Sequence, residues 1–217
     1  LPAAVFAVTS ADALFAAVAG TAVAVAVIAV ARHSTRRGAL AGVLFGGAML
    51  LSYGAPLLVL VPVALAAGTI GRAAWRTLAA MAAGAATVLV AVAGLGFWWL
   101  DGLATTRRLY WESVADVRPT AYLALAGNPG VLFAVVGPAV VAGLFLRQHR
   151  PAALLSIGAV AAVVLADASL LSKGEVERIW LPFVPWLAVV APGHRRGWLA
   201  AQAAVALALE AVLVTPW

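Results

Sequence analysis

Residues 11–31 read Ala-Asp-Ala-Leu-Phe-Ala-Ala-Val-Ala-Gly-Thr-Ala-Val-Ala-Val-Ala-Val-Ile-Ala-Val-Ala, and residues 32–37 read Arg-His-Ser-Thr-Arg-Arg. No charge occurs between Asp12 and Arg32. A helix that crosses a bilayer needs about 17–25 mostly apolar residues, so this run is long enough to cross. It ends on a short basic break that holds no acid. The same grammar recurs along the chain. Breaks at 72–76, 147–150 and 194–196 are also basic and acid-free, and the breaks between them carry Asp101, Glu112, Asp116, Glu175 and Glu177.

Composition supports the same reading. The 217 residues are 65% hydrophobic, with a mean hydropathy of +1.06, whereas a soluble domain is about half apolar. A formal charge of +6 and a pI near 11.1 would point to nucleic acid in a soluble protein. Here the arginines sit in short loops flanking apolar runs, the pattern that orients membrane proteins with basic loops inside. No separate basic face exists, so nucleic acid is excluded as a partner and the lipid bilayer takes its place. There is no cysteine, and the three histidines lie in basic loops without spaced ligand partners. Neither a metal site nor a cofactor is expected. The chain starts at Leu1 with no charged segment before the first apolar run, which reads as the middle of a longer protein rather than a signal peptide.

The expected fold is all-α: a polytopic integral membrane helix bundle with about eight spans and no soluble domain. The spans fall at about 11–31, 38–51, 56–70, 75–96, 130–146, 151–171, 179–191 and 198–214. Ser52-Tyr53-Gly54-Ala55-Pro56 makes a tight turn between the second and third. Pro182 and Pro185 bend the seventh. The outer loop 97–128 carries an interfacial helix over about 101–115, capped by Asp101. Its apolar side holds Leu103, Leu109, Tyr110 and Val114, and Trp98, Trp99 and Trp111 suit the interface. All eight acids then lie at the outer end, as do Arg107, Arg108, Arg118, Lys173 and Arg178. Gly42, Gly46 and Gly47 permit close helix packing.

Two segments can carry chemistry. In the outer loop, Arg107, Arg108 and Arg118 can face an anionic headgroup, since a guanidinium matches phosphate oxygens. Residues 171–186 place four charges, Lys173, Glu175, Glu177 and Arg178, beside a Pro-bent span. Charge so near hydrocarbon must pair or face water. It is either a solvated turn with Lys173/Glu177 or Glu175/Arg178 pairs, or a rim where Lys173 and Arg178 take an anion and a glutamate orients a hydroxyl or the arginine. Asp12 reads as a helix cap, with Ser10 as the alternative. Asp167 and Glu210 near span ends could serve cation or proton coupling, or simply reach the interface.

Four stretches resemble the bacterial, actinobacterial-type glycosyltransferases of the GT-C superfold related to protein mannosyltransferases. They are Leu1-Pro2 through Thr9-Ser10-Ala11-Asp12, residues 39–53, Arg118-Pro119-Thr120-Ala121-Tyr122 with Asn128, and Gly174-Glu175-Val176-Glu177-Arg178-Ile179-Trp180-Leu181-Pro182. The resemblance implies a multi-pass plasma-membrane enzyme of a bacterium that moves a sugar from a polyprenyl-phosphate-linked donor to an acceptor outside. Arg178, Lys173, Arg118, Arg107 and Arg108 would bind the donor phosphate. Glu175, Glu177, Tyr122 and Asp12 would orient the sugar. The family's acidic catalytic residue lies in an earlier outer loop, so no residue here inherits that role; the chain reads as the C-terminal part, inactive alone. The competing reading is a transporter or flippase for a lipid-linked or small anionic solute, which calls for broken helices in matched halves. A scaffold without a site is the third.

Overall fold

The computed structural model describes residues 1–7, 11–68, 71–114, 119–171, 175–192 and 196–212. Among them every regular element is helical. A short α1 (Ala4–Ala7) precedes α2 (Asp12–Ala31), α3 (Thr35–Leu51), α4 (Ala55–Gly68, opening as a 3-10 helix), α5 (Arg72–Gly94), α6 (Trp99–Val114), α7 (Thr120–Phe145) and α8 (Arg150–Ala168). Then come α9 (Val176–Ile179), a 3-10 turn Leu181–Phe183, α10 (Val184–Ala188) and α11 (Arg196–Val212). Four helices, α2, α5, α7 and α8, are long and apolar enough to cross a membrane. The other expected spans are shorter: α4 has its apolar stretch over Ala55–Gly68 only, and residues 176–188 are three short pieces.

Helix α2 is apolar all round, so it has no polar face to give to water. It buries Ala19, Ala22, Val23, Ala26, Ala29 and Val30, three to four residues apart. The chain reverses at once after Ala31. The amides of Arg32 and His33 close the last turn on Ile28 and Val30, and the Ser34 hydroxyl accepts from the Arg37 amide at 3.4 Å to start α3. Such an N-cap satisfies a donor that the first helical turn leaves open.

Helices α3 and α5 form the closest seam. A Cβ on Gly38 would meet the Thr77 carbonyl at 2.5 Å, and one on Gly42 would overlap the Met81 carbonyl. A Cβ on Gly84 would likewise overlap the Ala39 carbonyl, and one on Gly46 would meet the Val88 side chain at 2.6 Å. Residues 38, 42 and 46 lie four apart, one per turn, so bare backbone faces bare backbone and dispersion contacts gain from the approach. Gly47, which the sequence marked as a packing residue, has nothing within 4 Å of its virtual Cβ. It lies on the next face round, and Gly38 takes its place. On the outside, Leu14, Ile28, Val90, Ile157, Leu199 and Leu207 stand exposed, an apolar surface that suits a lipid surround.

Three boundaries differ from the sequence reading. The helix expected from 130 begins at Thr120, because a π-helical stretch over Leu123–Gly127 carries the chain into Asn128 and Pro129. A widened turn tolerates the amide that proline lacks. The long loop therefore shrinks to the surroundings of α6. That helix begins at Trp99, so Asp101 lies in its first turn and is not the N-cap. Its inner side is Trp99, Gly102, Leu103 and Tyr110, whereas Leu109 is exposed. The Val114 side chain lies outside the described residues.

Breaks divide the second half. Gly137 sits inside α7 at φ 77, ψ 171, before Pro138. Buried Gln202 of α11 donates from Nε2 to the Val136 carbonyl there, at 3.1 Å. Residues 176–188 are cut by Pro182 and Pro185, whose missing amides end the hydrogen-bond ladder.

Candidate functional site

Asp12 opens α2 and Arg32 follows its end, about 30 Å away at 1.5 Å per residue. Arg178, in α9, reaches Asp12: its Nη1 lies 3.3 Å from Asp12 Oδ2. Its Nη2 donates to Glu175 Oε2 at 2.5 Å, one turn back. The turn 175–178 is therefore at the end of α2 away from Arg32, Arg36 and Arg37. The residue before the first helical position of α2 is Ala11, with no side-chain cap. Asp12 serves Arg178 instead, and Ser10 lies outside the described residues.

The pair is neither on open surface nor deep. The Arg178 side chain is 30% exposed and that of Asp12 21%. The hydrogen bond that Arg178 donates to Glu175 does most to raise the Arg178 pKa; burial opposes it, and the charges of Glu175, Asp12 and Glu177 add to the rise. A group with a raised folded pKa adds stability below its unfolded value and loses it only above the folded one. For a guanidinium that window is strongly alkaline, so Arg178 stays charged throughout ordinary conditions. Glu175 has φ 59, ψ 19, a left-handed conformation rare for a residue with a Cβ. Such a conformation costs on the order of 1 kcal/mol and persists where surrounding contacts dictate it.

One turn along α2, and next to Arg178 in sequence at Ile179, lies a cavity of about 170 Å³ that Asp12, Glu175 and Arg178 do not themselves line. Phe15 of α2, the turn Ser52–Tyr53, Thr106 of α6, Ser169 and the Ile179–Trp180 step line it. Its floor includes Leu58, fully buried, and Trp180, 2% exposed. The wall from α6 is pinned by Trp99, whose Nε1 donates to the Met49 carbonyl at 2.9 Å. The Trp99 ring also meets Tyr53 at 5.3 Å between centroids, tilted 55°. An amphipathic helix thus closes over the end of the bundle, with Leu103 and Thr106 facing in. Arg107 and Arg108 line a shallow shelf with Ala104 and Trp111 on another side of α6. Arg108 also lies 3.9 Å from Glu112, both mostly exposed, a pair worth little in water.

Of the sequence-predicted residues, the structure gathers Asp12, Glu175 and Arg178, with Glu177 half-buried close by. Arg107 and Arg108 share the shelf. Tyr122 is 64% exposed and does not line the cavity. Lys173 and Arg118 lie outside the described residues. No group of three or more His, Cys, Asp or Glu side chains suited to a metal occurs among the described residues. The sequence reading missed the cavity wall. Ser52 and Tyr53 read as a turn, and Ser169 and Thr106 carried no motif. One available signal was polarity at apolar-run ends on the acidic side. Asp167, read alone, accepts from the Asn128 amide Nδ2 at 2.8 Å.

At the opposite end the basic loops close the helix ends. Arg150 Nη2 donates to the Gly68 carbonyl at 2.8 Å, and Gln148 Nε2 to the carbonyls of Gly143 and Val190 at 2.7 and 3.1 Å. These carbonyls lie at or near the ends of helices and need donors. Compared with family descriptions, with curated proteins and with solved structures, the chain gives no match.

Proposed function

We propose that the chain forms the membrane part of a GT-C-type glycosyltransferase, taking a sugar from a polyprenyl-phosphate donor at the end of the bundle that carries Asp12. The carrying observation is that Asp12 and Arg178, 166 residues apart, meet beside a cavity with hydroxyl and aromatic walls. Sugars bind through hydroxyls and through apolar ring faces. Ser52, Tyr53, Thr106 and Ser169 supply the first kind of contact, and Trp180 and Phe15 the second. The resemblance of residues 174–182 to that superfold points the same way. With the basic loops on the cytoplasmic side, the cavity faces out, and the chain passes between the two faces about eight times, its shorter helices included.

The charges divide the labour. Two carboxylates more than balance Arg178, so the arginine chiefly holds Asp12 and Glu175 toward sugar hydroxyls. Arg107 and Arg108, on the shelf of α6, meet the carrier phosphate at the interface. In the reaction an acceptor hydroxyl attacks the anomeric carbon. The bond from that carbon to the phosphate oxygen breaks, and its electron pair leaves with the phosphate. The hydroxyl proton passes to a carboxylate base. Asp12 and Glu175, both tied to Arg178, are not assigned that role.

A charge swap separates chemistry from scaffolding. In the full protein, reconstituted in vesicles with polyprenyl-phosphate mannose or polyprenyl-phosphate arabinose, release of polyprenyl phosphate is measured. Arg178→Asp and Asp12→Arg each abolish it, and the double swap restores the fold but not the release. Recovery of full turnover by the swapped pair would reduce the cluster to a structural tie.

A flippase is the second reading, favoured by one observation. The broken helix α7 and the broken segment 176–188 pack on each other. They are neighbours rather than equivalents in two halves, which the transport architecture would require. Vesicle-to-vesicle movement of the same lipid without cleavage would select it.

A further inference from the structure

Helices α4 and α5 follow one another in the chain yet meet at few points. Between them, over α3, runs a groove of about 540 Å³. Small side chains open it. Its wall on α5 is alanine, at Ala79, Ala82 and Ala85, while Val59 and Val63 line it from α4 and Phe45 from α3. Every lining side chain is apolar apart from the indole N–H of Trp75. Trp75, Ala79 and Ala82 are exposed, so the groove opens outward. Along α5 it reaches from Trp75 to Ala85, about 15 Å at 1.5 Å per residue. That is the depth of one leaflet, half of a hydrocarbon core of about 30 Å.

One end of the groove is charged. Gly38 and Gly42 of α3 pack on Thr77 and Met81, so α3 and α5 run parallel, and Arg72 lies at the end that carries Arg32 and Arg36. Positions 72, 75, 79 and 82, three and four apart, share one side of α5. Arg72 therefore continues the groove's row one turn past Trp75, and Arg76 follows four residues on. Both arginines are exposed. Neither forms a salt bridge with a carboxylate among the described residues. Helical side chains lean toward the N-terminus, so both guanidinium groups reach away from the apolar stretch. Trp75, 51% exposed, stands at the step from apolar to charged, where indoles settle in a bilayer.

We infer that this groove binds an anionic phospholipid, one acyl chain lying along Ala79, Ala82 and Ala85 and the phosphate meeting Arg72 and Arg76. Charge complementarity selects the occupant. A neutral chain fills the apolar part and leaves two guanidinium groups without a counter-charge. A head with net negative charge supplies it, and the planar fork of arginine matches phosphate oxygens. A zwitterionic head carries the same phosphate, but its ammonium meets the same two cations. The site lies at the end of the bundle opposite Asp12, and the inference does not depend on the sugar-transfer reading.

The test uses the full protein in phosphatidylcholine nanodiscs with one of two trace probes that share a diazirine-bearing acyl chain, a phosphatidylglycerol and a phosphatidylcholine. A basic residue beside an anionic head contributes a factor of about five in affinity. The phosphatidylglycerol probe therefore labels segments 45–63 and 75–85 about 25-fold more than the other. Arg72→Gln lowers that ratio about fivefold, and Arg72→Gln with Arg76→Gln brings the two probes level. Ala82→Leu, which narrows the groove and leaves both arginines in place, also lowers phosphatidylglycerol labelling there. Equal labelling by both probes, or a ratio that survives the double substitution, means bulk lipid alone fills the groove and overturns the inference. Undiminished labelling of Ala82→Leu overturns it as well. So does loss of labelling to inorganic phosphate at constant ionic strength, which would assign a phosphate site with no place for a tail.

Discussion

Helices α3 and α5 and helices α7 and α8 are two answers to one problem. In a bilayer, lipid tails are as apolar as leucine, so helices gain nothing by hiding from them and must attract each other by contact. The α3–α5 pair does so with glycine every fourth residue, backbone on backbone. The α7–α8 pair does not. Gly137 and Pro138 break one member, a segment in three pieces lies between the two, and polar side chains tie the ends: Asn128 to Asp167, Gln148 to Gly143 and Val190. The first pair is a rigid wall. The second leaves room, two adjoining cavities of about 230 and 600 Å³. The 170 Å³ cavity lies away from both α5 and α7, against α2, α4, α6 and the end of α8.

The comparison breaks most severely at Gly42. Its virtual Cβ overlaps the Met81 carbonyl, and backbone cannot rotate away as a side chain can. Gly42→Ala forces the helices apart and costs about 3 kcal/mol, at the upper end of overpacking penalties. Unfolding of the purified protein in mixed detergent should show it as a clear fall in midpoint. A change within error would mean that α3 and α5 do not approach as described.

Gly137 comes next. Its φ of 77 with ψ 171 is a region that side chains avoid, and a Cβ would also strike the Gln202 amide oxygen. Gly137→Ala costs about 2 kcal/mol from the backbone alone. Trimming the neighbour, with Gln202→Ala in the same chain, relieves the collision and leaves the strain, so the double variant recovers only in part. Full recovery would place the whole effect in packing and none in the break.

How much of this was legible in sequence varies by region. The meeting of Asp12 with Arg178, at the end of α2 away from Arg32, agrees with the alternation of acidic and basic breaks. The glycine seam was half legible: spacing of four picks Gly38, Gly42 and Gly46, while mere density picks Gly47. The break at Gly137 was hidden, because an apolar run averages over a Gly-Pro step, and in a bundle a neighbour such as Gln202 makes good the freed carbonyl. The early start of α7 was hidden for the converse reason, since Asn128-Pro129-Gly130 looks like a breaker in any local reading. The cavity wall was least legible. Ser52, Thr106 and Ser169 come from three segments, and only the docking of α6 through Trp99 brings them together.

The smallest effect sharpens the contrast most. Gly47 neighbours Gly46 in the same helix and has empty space where a Cβ would go. Alanine there meets no atom, and it removes the backbone freedom that glycine confers on the unfolded chain. Gly47→Ala should therefore stabilise by up to about 1 kcal/mol. The same chemical change, five residues along one helix, then carries opposite signs at positions 42 and 47. Their difference isolates the approach of α5, because helix propensity, depth and residue type are nearly shared. If both substitutions shifted the unfolding midpoint the same way, the seam would not be what holds that wall together, and α3 would owe its place to α2 instead.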